Sequence, residues 1–265
     1  MHAFEYHRPA SAKDAQALAA KKTEGRYLAG GQSLVQAMKL RLSSPSDLID
    51  LGTIKELSGI KVSGSAVEIG AMTRHADVAG SKEVQKAIPA LAALAGMIGD
   101  RQVRHMGTCG GSIANSDPAA DYPAAVIGLG ATITTNKRKI EADKFFTGLY
   151  ETALEAGEMI TAVSFPVPKR AAYMKFKNPA SRFAIVGVFV ADFSGKVRVG
   201  VTGAGASAFR QADLEKALSA KFAPEAAAGV KVKPDGLNND LHASPEYRAH
   251  LITVMAKRAV EAALQ

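Results

Sequence analysis

Two glycine-rich loops, about eighty residues apart, constrain the fold of this chain more than any other feature. The first has the sequence Ala-Gly-Gly-Gln-Ser-Leu at residues 29–34 and follows a short strand predicted at 26–28. Glycine turns the chain without Cβ crowding, and Ser33 with Gln36 has the pattern of a capping box at a helix start. A strand, a glycine turn and a helix start bring several unpaired backbone N–H groups together, which favours phosphate binding.

The second loop repeats this arrangement with the sequence Thr-Cys-Gly-Gly-Ser at residues 108–112, preceded by Gly107. A Gly-Gly turn on its own is more often a plain chain reversal than a phosphate site. Two separate anion-binding loops fit a diphosphate better than a single phosphate. The pair therefore predicts a ligand that contains a diphosphate.

Composition is typical of a globular protein and argues against a membrane span. The chain has 265 residues, of which 47% are hydrophobic and 22% are charged, and no apolar run approaches the ~18 residues of a transmembrane helix. The start of the sequence shows no basic region followed by an apolar stretch, so no secretory signal is predicted. A single cysteine excludes an internal disulfide framework and fits a reducing compartment. These features predict a cytoplasmic protein.

The net charge of +8 raises the possibility of nucleic-acid binding. The lysines and arginines are scattered, however, and there is no tryptophan and no stripe of aromatic and basic residues that would stack bases. A basic surface equally attracts a dinucleotide or an acidic partner subunit. We therefore predict no nucleic-acid partner.

The pattern of predicted elements indicates an α+β protein with three parts. Residues 1–55 are predicted to form a compact α/β unit, whose first helix has Ser11 as its cap. Residues 56–167 are predicted to form a second unit of strands and helices. The prolines at 166 and 168 mark the next boundary. Residues 168–265 are predicted to form three strands followed by helices, the last of which begins at Pro245 with Ser244 as its cap. Within the second unit, the predicted elements are a strand over 62–69, helices over 73–79 and 83–98, and a helix that begins near residue 118.

Three other candidate sites have ordinary interpretations. The sequence Gly-Ala-Gly-Ala at residues 203–206 lacks the alternating strands and helices that a dinucleotide-binding sheet requires. Cys109 lies in a loop that would contribute backbone rather than side chain, so a small apolar filler is the favoured role. The six histidines do not pair with one another or with Cys109 at metal-ligand spacing. No metal site and no catalytic base are predicted.

The two loops and four further segments resemble the FAD-binding medium subunit of the molybdenum hydroxylases, the family that contains carbon monoxide dehydrogenase and the xanthine dehydrogenases. The resemblance implies a two-subdomain FAD-binding fold of the vanillyl-alcohol-oxidase/PCMH type and a C-terminal domain of antiparallel strands and helices. It is carried by Asp121 and by the segments Ala29-Gly-Gly-Gln-Ser-Leu34, Met38-Lys-Leu-Arg41, Thr108-Cys-Gly-Gly-Ser-Ile-Ala-Asn115, Gly157-Glu-Met-Ile160, Tyr173-Met-Lys175 and Asn239-Asp-Leu-His-Ala-Ser244.

The resemblance also implies which residues bind FAD. Both loops would contact the diphosphate, and no histidine or cysteine matches the covalent attachment of related flavoproteins, so the FAD would be non-covalent. The implied loop contacts are Ala29, Gly30, Gly31, Gln32, Ser33, Leu34, Thr108, Cys109, Gly110, Gly111 and Ser112.

Four residues outside the loops are also implied, each with an ordinary alternative. Asp121 would contact cofactor hydroxyls, or is only an acid favoured in the first turn of a helix. Lys175 would lie beside the flavin ring and stabilise its anionic reduced form, or is an exposed strand lysine. Phe183 would cover the ring, or packs in the core. Ile160 would supply an apolar or backbone contact near the ring.

The same resemblance implies partner subunits. One cysteine cannot ligate an iron–sulfur cluster, which normally takes four. Electrons would then come from a small subunit with two [2Fe–2S] clusters and a large subunit with the molybdopterin cofactor, in a dimer of heterotrimers, and would leave this flavin for an external acceptor. Two alternatives stay open: a non-redox binding or scaffolding protein that kept the fold, which would purify colourless, and a self-sufficient flavin oxidase, which would turn over alone.

Overall fold

The computed structural model describes residues 1–265, the whole sequence, as fourteen strands and eleven α-helices. The strands are β1 (Glu5–His7), β2 (Arg26–Leu28), β3 (Asp47–Asp50), β4 (Ile60–Ser63), β5 (Ala66–Gly70), β6 (Thr132–Thr135), β7 (Lys139–Glu141), β8 (Phe146–Gly148), β9 (Glu151–Thr152), β10 (Ile160–Pro166), β11 (Arg170–Lys177), β12 (Ala184–Phe193), β13 (Lys196–Thr202) and β14 (Phe209–Arg210). The helices are α1 (Ala12–Lys21), α2 (Leu34–Lys39), α3 (His75–Gly80), α4 (Lys82–Ala87), α5 (Pro89–Gly96), α6 (Arg101–Met106), α7 (Cys109–Asn115), α8 (Tyr122–Leu129), α9 (Ala212–Ala220), α10 (Pro224–Ala228) and α11 (Pro245–Ala263).

Three main sheets organise these elements. A small parallel sheet has the order β1-β3-β2. Along the chain, α1 connects β1 to β2, and α2 connects β2 to β3. A five-stranded antiparallel sheet has the order β4-β5-β10-β6-β7, and a four-stranded antiparallel sheet has the order β11-β12-β13-β14. The mixture of helices with mainly antiparallel sheets confirms the α+β class. No helix combines the length and the apolar character needed to cross a membrane.

Helix α8 joins the middle of the chain to its C-terminal part. All eight of its residues are buried, as expected for a helix that is apolar on every side. It contacts β13 so closely that a Cβ at Gly200 would lie 2.2 Å from the carbonyl oxygen of Ala124. The largest buried cluster accordingly combines residues of the middle sheet with Tyr173 and Phe189 of β11 and β12. The boundary after residue 167, which remains a prediction, therefore crosses a shared core.

Two of the predicted elements are wrong in their extent. The single strand over 62–69 is a hairpin, because Gly64 adopts a left-handed φ of 55° and reverses the chain between β4 and β5. The helix over 83–98 is two helices, since Pro89 cannot donate a helical hydrogen bond and instead begins α5.

The helix predicted to begin near residue 118 begins at Tyr122. The Asp117 side chain accepts a hydrogen bond from the N–H of Ala119 at 2.9 Å and holds the preceding residues in a turn. The predicted caps of the first and last helices are present. Ser11 accepts from the N–H of Asp14 at 3.1 Å, and Ser244 accepts from that of Tyr247 at 3.3 Å.

Glu158 fixes the loop that precedes β10. Its buried carboxylate accepts hydrogen bonds from the hydroxyl of Thr135 at 2.7 Å, from Arg138 Nε at 3.1 Å and from the N–H of Glu155 at 2.9 Å. Burial alone would raise the pKa of Glu158, but these donors lower it to about 2. The folded pKa thus lies below the ordinary value, so this stabilisation is complete above about pH 4.5 and is lost as the pH falls through about 2.

We therefore expect Glu158→Gln to lower the free energy of unfolding by roughly 2 kcal/mol at pH 7, because it removes charge-assisted hydrogen bonds. The difference from the unsubstituted protein should shrink at pH 3. Urea unfolding at both pH values measures it, and an equal loss at both would contradict the assigned pKa.

Candidate functional site

The structure places the two glycine loops in direct contact. A Cβ at Gly30 would lie 2.1 Å from the carbonyl oxygen of Met106 and 2.7 Å from the Cα of Gly107. A Cβ at Gly111 would lie 3.3 Å from the Cβ of Ala29. Two segments that are about eighty residues apart in sequence therefore form one site, and glycine is needed at Gly30 for their contact.

The first loop carries a run of unpaired backbone donors. The six N–H groups of residues 29–34 donate no hydrogen bond within the protein. Gly31, with a left-handed φ of 70°, makes the turn on which this run depends. Successive free N–H groups in a turn are a binding site for an anion such as phosphate.

The capping box predicted at the start of α2 does not form. Ser33 occupies the N-cap position, but its backbone is helical (φ −118°, ψ −56°) rather than extended, and its side chain makes no cap hydrogen bond. The exposed hydroxyl is therefore available to a ligand together with the N–H groups beside it.

The second loop differs from the sequence prediction, because most of its donors are already used. The N–H groups of Cys109 and Gly110 bond to the carbonyls of Thr73 and Ala71 at 2.9 and 2.8 Å. Those of Gly111 and Ser112 bond to Oγ1 and the carbonyl oxygen of Thr108 at 3.2 and 3.0 Å. The prediction of several free N–H groups in this loop is wrong, since the chain pairs with the segment after β5. Only the N–H of Thr108 and the hydroxyl of Ser112 make no hydrogen bond here.

Cys109 and His75 lie in the core beneath the second loop. Cys109 is fully buried, and burial raises the pKa of its thiol to about 12. Burial and the neighbouring charge of Arg104 lower the pKa of His75 to about 4, so its imidazole is neutral at pH 7. A Cβ at Gly107 would lie 2.6 Å from His75 Nε2. The filler role inferred for Cys109 agrees with this position, and its side chain does not face a ligand.

We expect Cys109 not to react with a disulfide reagent such as DTNB in the folded protein. A thiol with a pKa near 12 is about 10⁻⁴ ionised at pH 8, against about a quarter for an ordinary cysteine. Absorbance at equilibrium should show no labelled thiol without denaturant and one per chain in urea. Rapid labelling of the native protein would show that the loop opens.

A second group of candidate functional side chains connects the start of α8 to β11. Asp121 Oδ1 accepts a hydrogen bond from the Tyr173 hydroxyl at 2.5 Å, and Asp121 Oδ2 lies 2.9 Å from Lys175 Nζ. The ammonium also points to the carbonyl oxygen of Met97 at 3.4 Å. The side chains of Asp121 and Lys175 are only 4% and 3% exposed, so the alternative of a solvated strand lysine is wrong.

Burial dominates the titration of this group. It raises the pKa of Asp121, although the Lys175 charge and the Tyr173 hydroxyl oppose the shift. Asp121 sits at the N-cap position of α8, but its side chain makes no cap hydrogen bond, so its side-chain partners are the two side chains of β11. Sequence reasoning assigned no role to Tyr173. The signal that could have identified Tyr173 is its position two residues before Lys175, because residues two apart on a strand point to the same face.

Phe183 and Ile160 have contrasting environments. Phe183 is 48% exposed, so the alternative that it packs in the core is wrong. It borders a cavity of about 250 Å³ that Ala119 and Asn178 also line, which leaves its ring free to cover a ligand. Ile160, in contrast, is buried at the start of β10, where its side chain packs in the main core.

Comparison with known proteins identifies the class that this site defines. A sequence profile described as the FAD binding domain in molybdopterin dehydrogenase matches residues 2–168. The chain belongs to this family, the FAD-binding medium subunits of the molybdenum hydroxylases.

Individual relatives extend the similarity to the whole chain. The carbon monoxide dehydrogenase medium chain of Hydrogenophaga pseudoflava is 36% identical over 278 residues, covering 98% of this chain and 96% of the relative. The nicotine 6-hydroxylase medium subunit of Paenarthrobacter nicotinovorans is 35% identical, covering 97% and 96%. The solved structure of reconstituted CO dehydrogenase from Oligotropha carboxidovorans superimposes with a TM-score of 0.88 at 35% identity, covering 99% of this chain and 98% of that one.

These similarities confirm an oxidoreductase subunit whose cofactor is FAD, with the fold that the resemblance implied. The residues present fit that cofactor. The six free N–H groups of residues 29–34 suit its diphosphate. The buried ammonium of Lys175 forms an ion pair with Asp121 and with no other carboxylate of the protein.

Proposed function

We propose that this chain binds FAD non-covalently and transfers electrons between iron–sulfur clusters on a partner subunit and an external acceptor. The observation that carries the proposal is the run of six unpaired N–H groups at residues 29–34, held against the second glycine loop. FAD supplies the two-electron chemistry. The protein supplies binding, orientation and a local electrostatic environment.

In this proposal the loops divide the diphosphate contacts unequally. Residues 29–34 donate their N–H groups and the Ser33 hydroxyl. In the second loop, Thr108 contributes its N–H and Ser112 its hydroxyl, whereas Gly110 and Gly111 keep the backbone close to its neighbours. Cys109 contributes no side-chain contact.

The other proposed contacts surround the flavin ring and the ribityl chain. Lys175 places a positive charge beside the ring, and the exposed ring of Phe183 covers it. Asp121 keeps acceptor capacity for a cofactor hydroxyl, because a carboxylate has about four lone-pair sites and two are used here. Ile160 contributes backbone near the ring rather than its buried side chain.

Partner subunits complete the proposed enzyme. The relatives are named as the medium chain or subunit of carbon monoxide dehydrogenase and nicotine 6-hydroxylase. We propose a small iron–sulfur subunit and a large molybdopterin subunit, assembled as a dimer of heterotrimers. Two relatives of nearly equal identity are named for different substrates, which supports a substrate pocket on another subunit.

The test is purification of the native protein from its source. We expect it to contain one FAD per chain, released by acid precipitation, together with iron and molybdenum. Substrates such as carbon monoxide, purines or aldehydes should be screened for bleaching of the flavin absorbance in the complex, with the isolated flavinated chain as the control. A native monomer without iron or molybdenum would contradict the proposal. Turnover by the isolated chain would favour the self-sufficient oxidase, and a colourless protein would favour the binding protein.

A further inference from the structure

Tyr173 is a buried residue that the proposed cofactor contacts leave unused. Its ring is 4% exposed and packs beside Phe189, with the ring centroids 6.3 Å apart. The neighbouring strand has room for the hydroxyl because Gly187 has no Cβ. A Cβ there would lie only 2.3 Å from the hydroxyl oxygen. The hydroxyl is therefore confined to one position, where it donates to Asp121 Oδ1.

The donors of the Lys175 ammonium group can be counted. An ammonium has three N–H donors. One is directed at Asp121 Oδ2, and a second points to the carbonyl oxygen of Met97 at a long 3.4 Å. The third has no partner within the protein, although the side chain is 3% exposed. A buried N–H donor without a partner costs free energy, so an acceptor atom of a ligand would stabilise this ammonium group.

We infer that Tyr173 is a positioning residue that keeps this donor of Lys175 free for the flavin. By occupying Asp121 Oδ1, the hydroxyl limits Asp121 to one oxygen for the ammonium. Without the hydroxyl, both carboxylate oxygens would turn toward Lys175, engage a second donor and neutralise more of its charge. The inference rests on the proposed function, since it requires the flavin to lie beside Lys175.

The test is the midpoint potential of FAD bound to the full chain, measured by dye-equilibrated reduction. In Tyr173→Phe, the ratio of oxidised to reduced flavin at a fixed potential should rise about tenfold. This corresponds to a midpoint potential lower by about 30 mV for a two-electron couple. Lys175→Met should shift it further in the same direction, because the positive charge is lost. Asp121→Asn should shift it in the opposite direction, because the counter-charge is lost.

Tyr122→Phe is the matched control, since Tyr122 is also a fully buried tyrosine but its hydroxyl makes no hydrogen bond to Asp121 or Lys175. It should leave the potential unchanged. If Tyr173→Phe does not fold, Gly187→Ala displaces the hydroxyl while keeping every ionisable group, and it should lower the potential in the same direction.

The outcomes separate this inference from the proposed function. A wild-type potential in Tyr173→Phe, together with a shift in Lys175→Met, would make Tyr173 a merely structural residue and overturn the inference alone. A wild-type potential in Lys175→Met as well would remove the flavin from this group and overturn the proposed site with it.

Discussion

Replacing Gly30 with alanine is expected to separate the two glycine loops and to weaken FAD binding. The new Cβ would lie 2.1 Å from the backbone of Met106, which no side-chain rotation can relieve. We expect a loss of about 1–3 kcal/mol in the free energy of unfolding of the apoprotein, typical of overpacking at a close contact. FAD affinity should fall at least about tenfold, a loss of about 1.4 kcal/mol in binding free energy.

Gly80→Ala is the matched control, because nothing lies within 4 Å of the Cβ that it would add. Urea unfolding and titration of the apoprotein with FAD measure the two effects separately. A Gly30→Ala protein that purifies with a full complement of FAD would show that the contact between the loops does not support the cofactor site.

The second large effect concerns the buried ion pair of Asp121 and Lys175. Either Asp121→Asn or Lys175→Met leaves an uncompensated charge at a site that is at most 4% exposed. We expect each to lower the free energy of unfolding by about 3–5 kcal/mol, because breaking one half of a buried pair is strongly destabilising.

The double variant should be destabilised less than the sum of the two single variants, by about 2 kcal/mol, since it leaves no unpaired charge. Chemical unfolding of the four apoproteins completes this cycle. Lys144→Met, which removes one member of the exposed pair with Glu141, gives a comparison for a solvated charge. Strict additivity of Asp121→Asn and Lys175→Met would show that the two groups do not interact in solution.

The sequence predicted the convergence of the loops and the importance of Asp121 and Lys175, but not how these groups are connected. The N–H groups of Cys109 and Gly110 bond to carbonyls 36 and 39 residues earlier, and no local pattern predicts that pairing. Asp121 and Lys175 are likewise 54 residues apart and meet because α8 packs on β12 and β13, in the sheet that also contains β11.

Local chemistry was a better guide to the ends of the helices. Ser11 and Ser244 cap as predicted, because the N-cap hydrogen bond depends on neighbouring residues alone. Ser33 has the same sequence pattern without the cap hydrogen bond, since its backbone is helical rather than extended. This exception lies at the proposed cofactor site, where the free hydroxyl is available to a ligand.

Hydrogen exchange of the apoprotein and the FAD-loaded protein, followed by mass spectrometry of short peptides, tests the central claim most directly. The amides of residues 29–34 donate to no group in the protein, so they should exchange rapidly without FAD and become protected when it binds. The amides of residues 109–112 are already bonded and should change little. Unchanged exchange of residues 29–34 in protein saturated with FAD would contradict the claim that this loop binds the cofactor.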